Sequence, residues 1–200
     1  MKFRTPFFLI EIESIFLIVI FLSIFSNVFR NYMCGYYICY LFILFHEFSH
    51  IFVAAILGKE MEVLKFSISG VNIKFKYKTE KYIYNIGNIL IYIIGPISNL
   101  ILAIVFYNNK MIFEINIFLA LINLLPIYPL DGYNILKFII YYFLNKKIGK
   151  KLLNLINNIV FIFLGIVAFF QIIYLNNPSV VLLFIYLFFI NKANKINKNV

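Results

Sequence analysis

The sequence has few of the residues on which soluble domains depend. Only 13% of its 200 residues are charged, eight of them acidic, and it has no tryptophan. Soluble domains usually carry about a quarter charged residues, so an ordinary soluble fold is excluded. The two cysteines, Cys34 and Cys39, lie in an apolar stretch without C-x-x-C spacing or a third ligand. That pattern argues against a metal or redox site and favours core-facing or lipid-facing thiols.

Apolar residues dominate the rest of the chain. Hydrophobic residues make up 64% of it, and the mean hydropathy is +0.94. Apolar stretches of about 20 residues, the length that crosses a bilayer, recur throughout. We therefore expect an all-α polytopic membrane protein, with one transmembrane domain over residues 1–191 and a short cytoplasmic tail at 192–200. Six transmembrane helices are predicted at approximately 6–29, 33–57, 83–106, 112–136, 152–175 and 179–191.

The basic residues lie between these apolar spans. The net charge is +10, but no basic helix with base-stacking aromatics accompanies it, so a nucleic-acid partner is not expected. With a cytoplasmic N-terminus, sixteen of the eighteen basic residues fall inside and only Arg30 and Lys110 outside. The positive-inside rule then predicts that both termini are cytoplasmic. The first span follows Lys2 and Arg4 without a small-residue cleavage site, which favours an uncleaved span over a signal peptide.

One segment has a strand pattern instead of a helical one. From Val71 to Lys78 apolar residues alternate with mostly lysine, a period of two that is typical of a β-strand. Together with residues 62–69 and Gly70, it predicts a small membrane-associated β-hairpin between the second and third transmembrane helices. The alternative is a solvated, charged loop, because the segment before Gly70 is only a weak strand.

The only two histidines flank a glutamate in the run His46-Glu47-Phe48-Ser49-His50, within an apolar helix. Residues four apart lie on one face of a helix, so both imidazoles can bind one Zn²⁺ while Glu47 reaches a water molecule. The alternative is two helix histidines whose hydrogen bonds are satisfied by neighbouring polar groups. Ionisable groups at membrane depth are costly and tend to mark function, which favours the metal site.

A catalytic zinc needs a third protein ligand, and the chain has no third histidine. Among the eight acids, Asp131 follows Pro126 and Pro129, which disrupt the fourth span. Irregular backbone at membrane depth is tolerated where protein buries it or a wet cavity lines it. Counting along the helices puts both His50 and Asp131 about a third of the way into the bilayer from the cytoplasm. Asp131 is therefore the predicted third ligand, and a structural cap of the helix break is the alternative.

Two asparagines are also predicted at membrane depth. Asn99 follows Gly95 and Pro96 in the third span, where the proline should kink the helix, and Asn123 precedes the break in the fourth. Their amides can stabilise an oxyanion or hold a substrate backbone. They can equally serve as hydrogen-bonding contacts between helices, and spacing alone does not choose between these roles.

Three motifs together resemble the site-2 protease family of intramembrane zinc metalloproteases. In chain order they are His46-Glu47-x-x-His50, Gly95-Pro96-x-x-Asn99 and Asn123-x-x-Pro126-x-x-Pro129-x-Asp131-Gly132. The six-span layout and the third motif are most similar to the group containing the stage IV sporulation protein FB. The resemblance implies one Zn²⁺, a bacterial cell membrane as the location and a membrane-tethered protein substrate, in that group a pro-sigma factor. Ser49 departs from the usual small residue, commonly glycine, before the second histidine, and no PDZ or CBS domain is expected.

The sequence thus predicts a zinc metalloendopeptidase that cleaves a membrane-tethered or transmembrane protein, with a pro-sigma or anti-sigma factor as candidate substrate. Its expected partners are that substrate, the lipid bilayer and a membrane-bound inhibitor or regulator. The alternatives are an inactive membrane scaffold and a metal transporter. A transporter would place ligands through the whole bilayer, whereas these cluster at one depth. An inactive relative would have no need of the general base Glu47.

Overall fold

The computed structural model describes residues 2–4, 8–25, 27–67, 70–75, 87–175 and 179–197. The chain divides into two compact units, residues 1–120 and 121–200. The elements in chain order are β1 (Lys2–Arg4), β2 (Leu9–Ile12), α1 (Ser14–Phe25), α2 (Asn27–Ile56), β3 (Met61–Ser67), β4 (Gly70–Phe75), α3 (Gly87–Val105), α4 (Lys110–Asn123), α5 (Asp131–Phe143), α6 (Lys146–Leu175) and α7 (Ser179–Asn197).

The first unit contains a four-stranded sheet in the order β1-β2-β3-β4. The β3–β4 pair is antiparallel, from Met61 opposite Phe75 to Ser67 opposite Gly70, which confirms the predicted hairpin. Residues 76–78 of the predicted second strand lie outside the described residues. The Ser67 hydroxyl donates to the Gly70 carbonyl at 2.8 Å across the turn.

The N-terminal segment differs from the predicted first span at 6–29. Residues 9–12 form β2, which pairs in parallel with β3, and the first helix begins only at Ser14. Lys65 of β3 forms an ion pair with Glu13 at 2.7 Å, next to this pairing. A short apolar run is compatible with either a buried strand or a helix. The long-range pairing with β3 therefore determines that residues 9–12 form a strand.

Helix α2 carries the H-E-x-x-H motif and ends in a glycine cap. The Gly58 N–H donates to the Ala55 carbonyl at 3.0 Å and the Lys59 N–H to the Ala54 carbonyl at 2.9 Å. Gly58 has φ of +65°, the left-handed conformation that this helix ending requires. This cap turns the chain out of the helix and into β3.

Helix α3 packs against α2 within the first unit. It continues from Gly87 to Val105 with Pro96 inside it, so the Gly95-Pro96 motif lies within one helix. Ala54 and Ile91, each 1% exposed, form the centre of this contact, and Ile73 of β4 packs against them. The hairpin is thereby attached to the same two helices that carry the histidine and Gly-Pro motifs.

In the second unit, the predicted break in the fourth span is present. Helix α4 ends at Asn123 and α5 begins at Asp131, with irregular backbone at residues 124–130. Ile127 in this segment is fully buried, and its core cluster also contains Leu164, Ala168, Val180 and Leu187 of α6 and α7. The break is therefore a packed part of the second unit.

Within the described ranges, three helical segments are long and apolar enough to cross a membrane: Met33–Ile56, Gly87–Val105 and Lys146–Tyr174. Two shorter apolar segments, Ser14–Ile24 and Val180–Lys192, accompany them. The predicted span at 112–136 corresponds to α4, the break and the start of α5. The count of six spans stays a prediction.

Candidate metal centre

His46 and His50 lie side by side on the buried face of α2. They are 3% and 5% exposed, whereas Phe45 and Phe48 on the opposite side are 50% and 63% exposed. The two Nε2 atoms are 3.1 Å apart, and the ring planes meet at 83°. The i, i+4 spacing therefore brings together two imidazole nitrogens that can each bind a metal ion, as the sequence predicts.

Helix α3 contacts the other ring nitrogen of each histidine. The Nδ1 atom of His46 lies 3.0 Å from the side-chain oxygen of Asn99, which is fully buried. The Nδ1 atom of His50 is hydrogen-bonded to the main-chain oxygen of Ile91. In metal sites the second nitrogen of a ligating histidine almost always bonds such an oxygen, so this arrangement is typical of ligating imidazoles.

Gly95 provides the space in which the two rings sit. A Cβ atom at this position would lie 2.4 Å from His50 Nε2 and 2.7 Å from His46 Cε1. Real Cβ contacts are not that close, so any larger residue must displace an imidazole. The Gly95-Pro96-x-x-Asn99 motif thus combines a residue that makes room for both rings with one that bonds His46.

The donor set fits a zinc ion. Two Zn–N bonds of about 2.05 Å at the tetrahedral angle would separate the nitrogens by roughly 3.3 Å. The observed Nε2–Nε2 distance of 3.1 Å is close to this value.

Glu47, next to His46 in α2, is partly buried. Ser49, the departure from the family pattern, donates its hydroxyl to the Phe45 carbonyl at 2.9 Å within its own helix.

The remaining predicted site residues belong to the second unit. Asp131 is the first residue of α5, after the cap residue Leu130, and it is partly buried. Asn123 is the last residue of α4, and Pro126 and Pro129 lie in the break between the helices. Gly132 is buried against the first residues of the break, and a Cβ there would lie 2.1 Å from the Leu124 carbonyl oxygen. The roles of Asp131 as a ligand and of Asn123 as an oxyanion donor stay predictions.

Sequence reasoning missed two asparagines that hold the break in place. Asn157 of α6 accepts a hydrogen bond from the Tyr128 N–H, and Asn191 of α7 donates to the Tyr128 carbonyl, both at 2.9 Å. Asn157 is 7% exposed and lies inside an apolar span. A polar residue inside such a span was the available signal, but nothing in the sequence identifies its partner.

Two comparisons with known proteins found a match. The family model of peptidase family M50 matches residues 108–167, a segment that contains the Asn123 to Gly132 motif. A solved structure, the site-2 protease from Methanocaldococcus jannaschii, superposes with a TM-score of 0.60. It is 21% identical in sequence, and the match covers 94% of this chain and 92% of that one. The comparison with curated proteins gave no match.

The chain therefore has the site-2 protease fold. The family match lies outside the histidine motif, which starts 62 residues before it, while the structural match extends over nearly the whole chain. Fold and partial family match support a protease embedded in a membrane. The narrower likeness to the sporulation group stays a prediction.

Proposed function

We propose that this chain is an intramembrane zinc metalloendopeptidase that cleaves a membrane-tethered or transmembrane protein near the cytoplasmic face. The observation that carries the proposal is the histidine pair: two buried imidazoles, with their Nε2 atoms 3.1 Å apart, on a helix suited to cross a membrane. Asp131 completes the ligand set as the acid of the third motif, which lies within the peptidase family M50 match.

Glu47 acts as the proton carrier. When bound, the zinc ion supplies a Lewis acid that makes water nucleophilic near neutral pH. Glu47 accepts the proton of the attacking water and then delivers it to the leaving amine of the cleaved peptide. Its place directly after His46 on α2 supports this role.

Strand β4 receives the substrate. A transmembrane helix conceals its carbonyls in its own hydrogen bonds, so a substrate must unwind before it is cut. Among the described residues β4 lies at the edge of the sheet, where an extended segment can pair with it. The hairpin also packs against Ala54 and Ile91 of the helices that carry the site. An edge strand at this position would deliver the unwound segment to the adjacent histidines.

The substrate class follows from the chemistry and from the sequence resemblance. A membrane-bound protease with its site near the cytoplasmic face releases cytoplasmic domains, and a tethered pro-sigma factor or an anti-sigma factor suits that outcome. We place the enzyme in regulated intramembrane proteolysis, with sporulation as the first pathway to test. An inhibitor or regulator within the same bacterial membrane is the expected control partner.

The test is co-expression with candidate tethered transcription factors. Wild-type protein should yield a shorter product, and Glu47→Gln should yield none while the purified variant retains about one zinc per chain, since Glu47 binds water and not metal. His46→Ala and Asp131→Ala should lose the metal as well as cleavage. Glu114→Gln is the matched control, because Glu114 is 62% exposed and pairs only weakly with Lys110 at 3.9 Å.

Normal cleavage by Glu47→Gln would contradict the proposed mechanism. Zinc binding by the wild-type chain without cleavage of any tested protein would favour the inactive scaffold instead.

A further inference from the structure

We infer that Asn99 is a positioning residue that keeps the proton of His46 on Nδ1, and so keeps both Nε2 atoms available for metal. The inference rests on the proposed function. It assigns to Asn99 a role different from that of an oxyanion donor or a simple contact between helices.

A neutral imidazole has two tautomers, which differ in the ring nitrogen that carries the proton. Each ring carries one N–H, and the hydrogen bond made by one nitrogen decides which tautomer is present. His46 Nδ1 lies 3.0 Å from the Asn99 side-chain oxygen, and His50 Nδ1 faces the Ile91 carbonyl. An oxygen acceptor at Nδ1 requires a proton there. Both Nε2 atoms then present lone pairs, which is the form that binds zinc.

The short distance between the two Nε2 atoms makes this choice critical. At 3.1 Å, a proton on His46 Nε2 would donate directly to His50 Nε2. Such a hydrogen bond would occupy both metal-binding nitrogens at once. Asn99 prevents this hydrogen bond, because its side-chain oxygen accepts a hydrogen bond from a proton on His46 Nδ1 and so favours that tautomer.

The two histidines differ in how their tautomers are held. The partner of His50 is a main-chain oxygen, which no side-chain substitution removes, whereas the partner of His46 is the Asn99 side chain. Asn99 is fully buried, so water cannot easily replace it. Substitution of Asn99 should therefore affect His46 alone and leave His50 as an internal reference.

Two substitutions separate the candidate roles of Asn99. Asn99→Asp retains an oxygen acceptor but loses the amide donor, whereas Asn99→Leu retains the approximate volume and loses both. A positioning role predicts that Asp preserves zinc affinity and Leu weakens it by about 10- to 100-fold. A packing role predicts the reverse order, because Leu fits an apolar helix contact and a buried carboxylate does not. An oxyanion role predicts unchanged zinc affinity in both variants, with cleavage lost.

The matched controls are Asn116→Leu and Asn116→Asp. Asn116 is also fully buried, and its amide nitrogen donates to the Ile112 carbonyl of its own helix at 2.9 Å. These variants show how much zinc affinity changes when a buried asparagine away from the histidines is replaced. Their zinc affinity should stay within twofold of wild type.

The tautomers can be observed directly, because the chain has only two histidines. Full-length protein labelled with ¹⁵N-histidine gives one pair of ring signals per residue, assigned with a His50→Gln variant. In zinc-free wild-type protein both Nδ1 atoms should be protonated. In Asn99→Leu the His46 proton should move to Nε2 while the His50 signals keep the Nδ1–H form.

An unchanged His46 tautomer in Asn99→Leu would overturn the inference, and so would equal loss of zinc affinity in the Asp and Leu variants. Thermal unfolding of each variant shows whether a loss reflects a misfolded chain, and the zinc-free tautomer spectra of the folded fraction then decide. A wild-type chain that binds no zinc would remove the proposed function itself. A failure of the tautomer inference can be distinguished from a failure of the proposed function, because the tautomers are measured without metal.

Discussion

At the scale of single residues, Gly95 is the one on which the histidine pair depends for space. Its missing side chain leaves room for His50 Nε2, which would lie 2.4 Å from a Cβ atom at this position. The clash falls on the ring nitrogen that we propose as a zinc ligand, and not on the end of a flexible side chain. The ring must therefore rotate or α2 and α3 must move apart.

We expect Gly95→Ala to weaken zinc binding by at least 10-fold and to abolish cleavage, because a displaced ligand misplaces the metal. Zinc titration of the purified variant measures this. Gly35→Ala is the control, since nothing lies within 4 Å of a Cβ at that helix position. Equal zinc affinity in Gly95→Ala and Gly35→Ala would show that the imidazole rings can move aside without weakening zinc binding.

At the scale of elements, the pairing of β3 with β4 decides which backbone groups face outward. Residues of an antiparallel pair alternate between those bonded to the partner strand and those directed away from it. The register ends with Ser67 opposite Gly70, and we expect this closing pair to be a hydrogen-bonded one, which places Ile73, opposite Leu64, in the outward class. The Ile73 N–H is therefore one that a substrate strand could use.

We expect Ile73→Pro to impair cleavage of a tethered substrate while zinc content stays normal, because proline has no N–H to offer a paired strand. Product yield in the co-expression assay measures it. Ile73→Ala is the matched control, since it removes the same packing against Ala54 and Ile91 but keeps the N–H. If the alanine variant loses as much activity as the proline variant, packing and not strand pairing is responsible.

The break between α4 and α5 is a second element whose geometry depends on distant residues. Asn157→Leu removes the side-chain oxygen that accepts the hydrogen bond of the partly buried Tyr128 N–H. The expected loss of unfolding free energy is about 1–3 kcal/mol. Thermal unfolding in detergent measures it, with Asn158→Leu as the control at the neighbouring, exposed position. A neutral result at Asn157 would mean that Asn191 and the two prolines, Pro126 and Pro129, are sufficient to maintain the break.

At the scale of the whole molecule, the distribution of charge predicts the orientation in the membrane. Reporters after Val200 and near Lys147 should be cytoplasmic, and one near Asn109 external, because sixteen of the eighteen basic residues then lie inside. Paired reporters that are active on opposite sides of the membrane measure each position. An external C-terminus would contradict the six-span topology.

The sequence by itself determined the features that arise from local periodicity and backbone chemistry. The i, i+4 spacing alone places His46 and His50 together, since a helix repeats every 3.6 residues. Pro126 and Pro129 predict the break because they remove backbone donors. The alternation from Val71 predicts β4 because side chains of a strand point alternately to opposite faces.

Only the tertiary structure decided the features that depend on contacts between distant segments. It made residues 9–12 a strand, because β3 was available to pair with an apolar run that fits either state. It also gave Asn99 its contact with His46, 53 residues away, and Asn157 its contact with Tyr128. An asparagine can donate or accept in many directions, so its role is fixed only when folding brings a particular partner within reach.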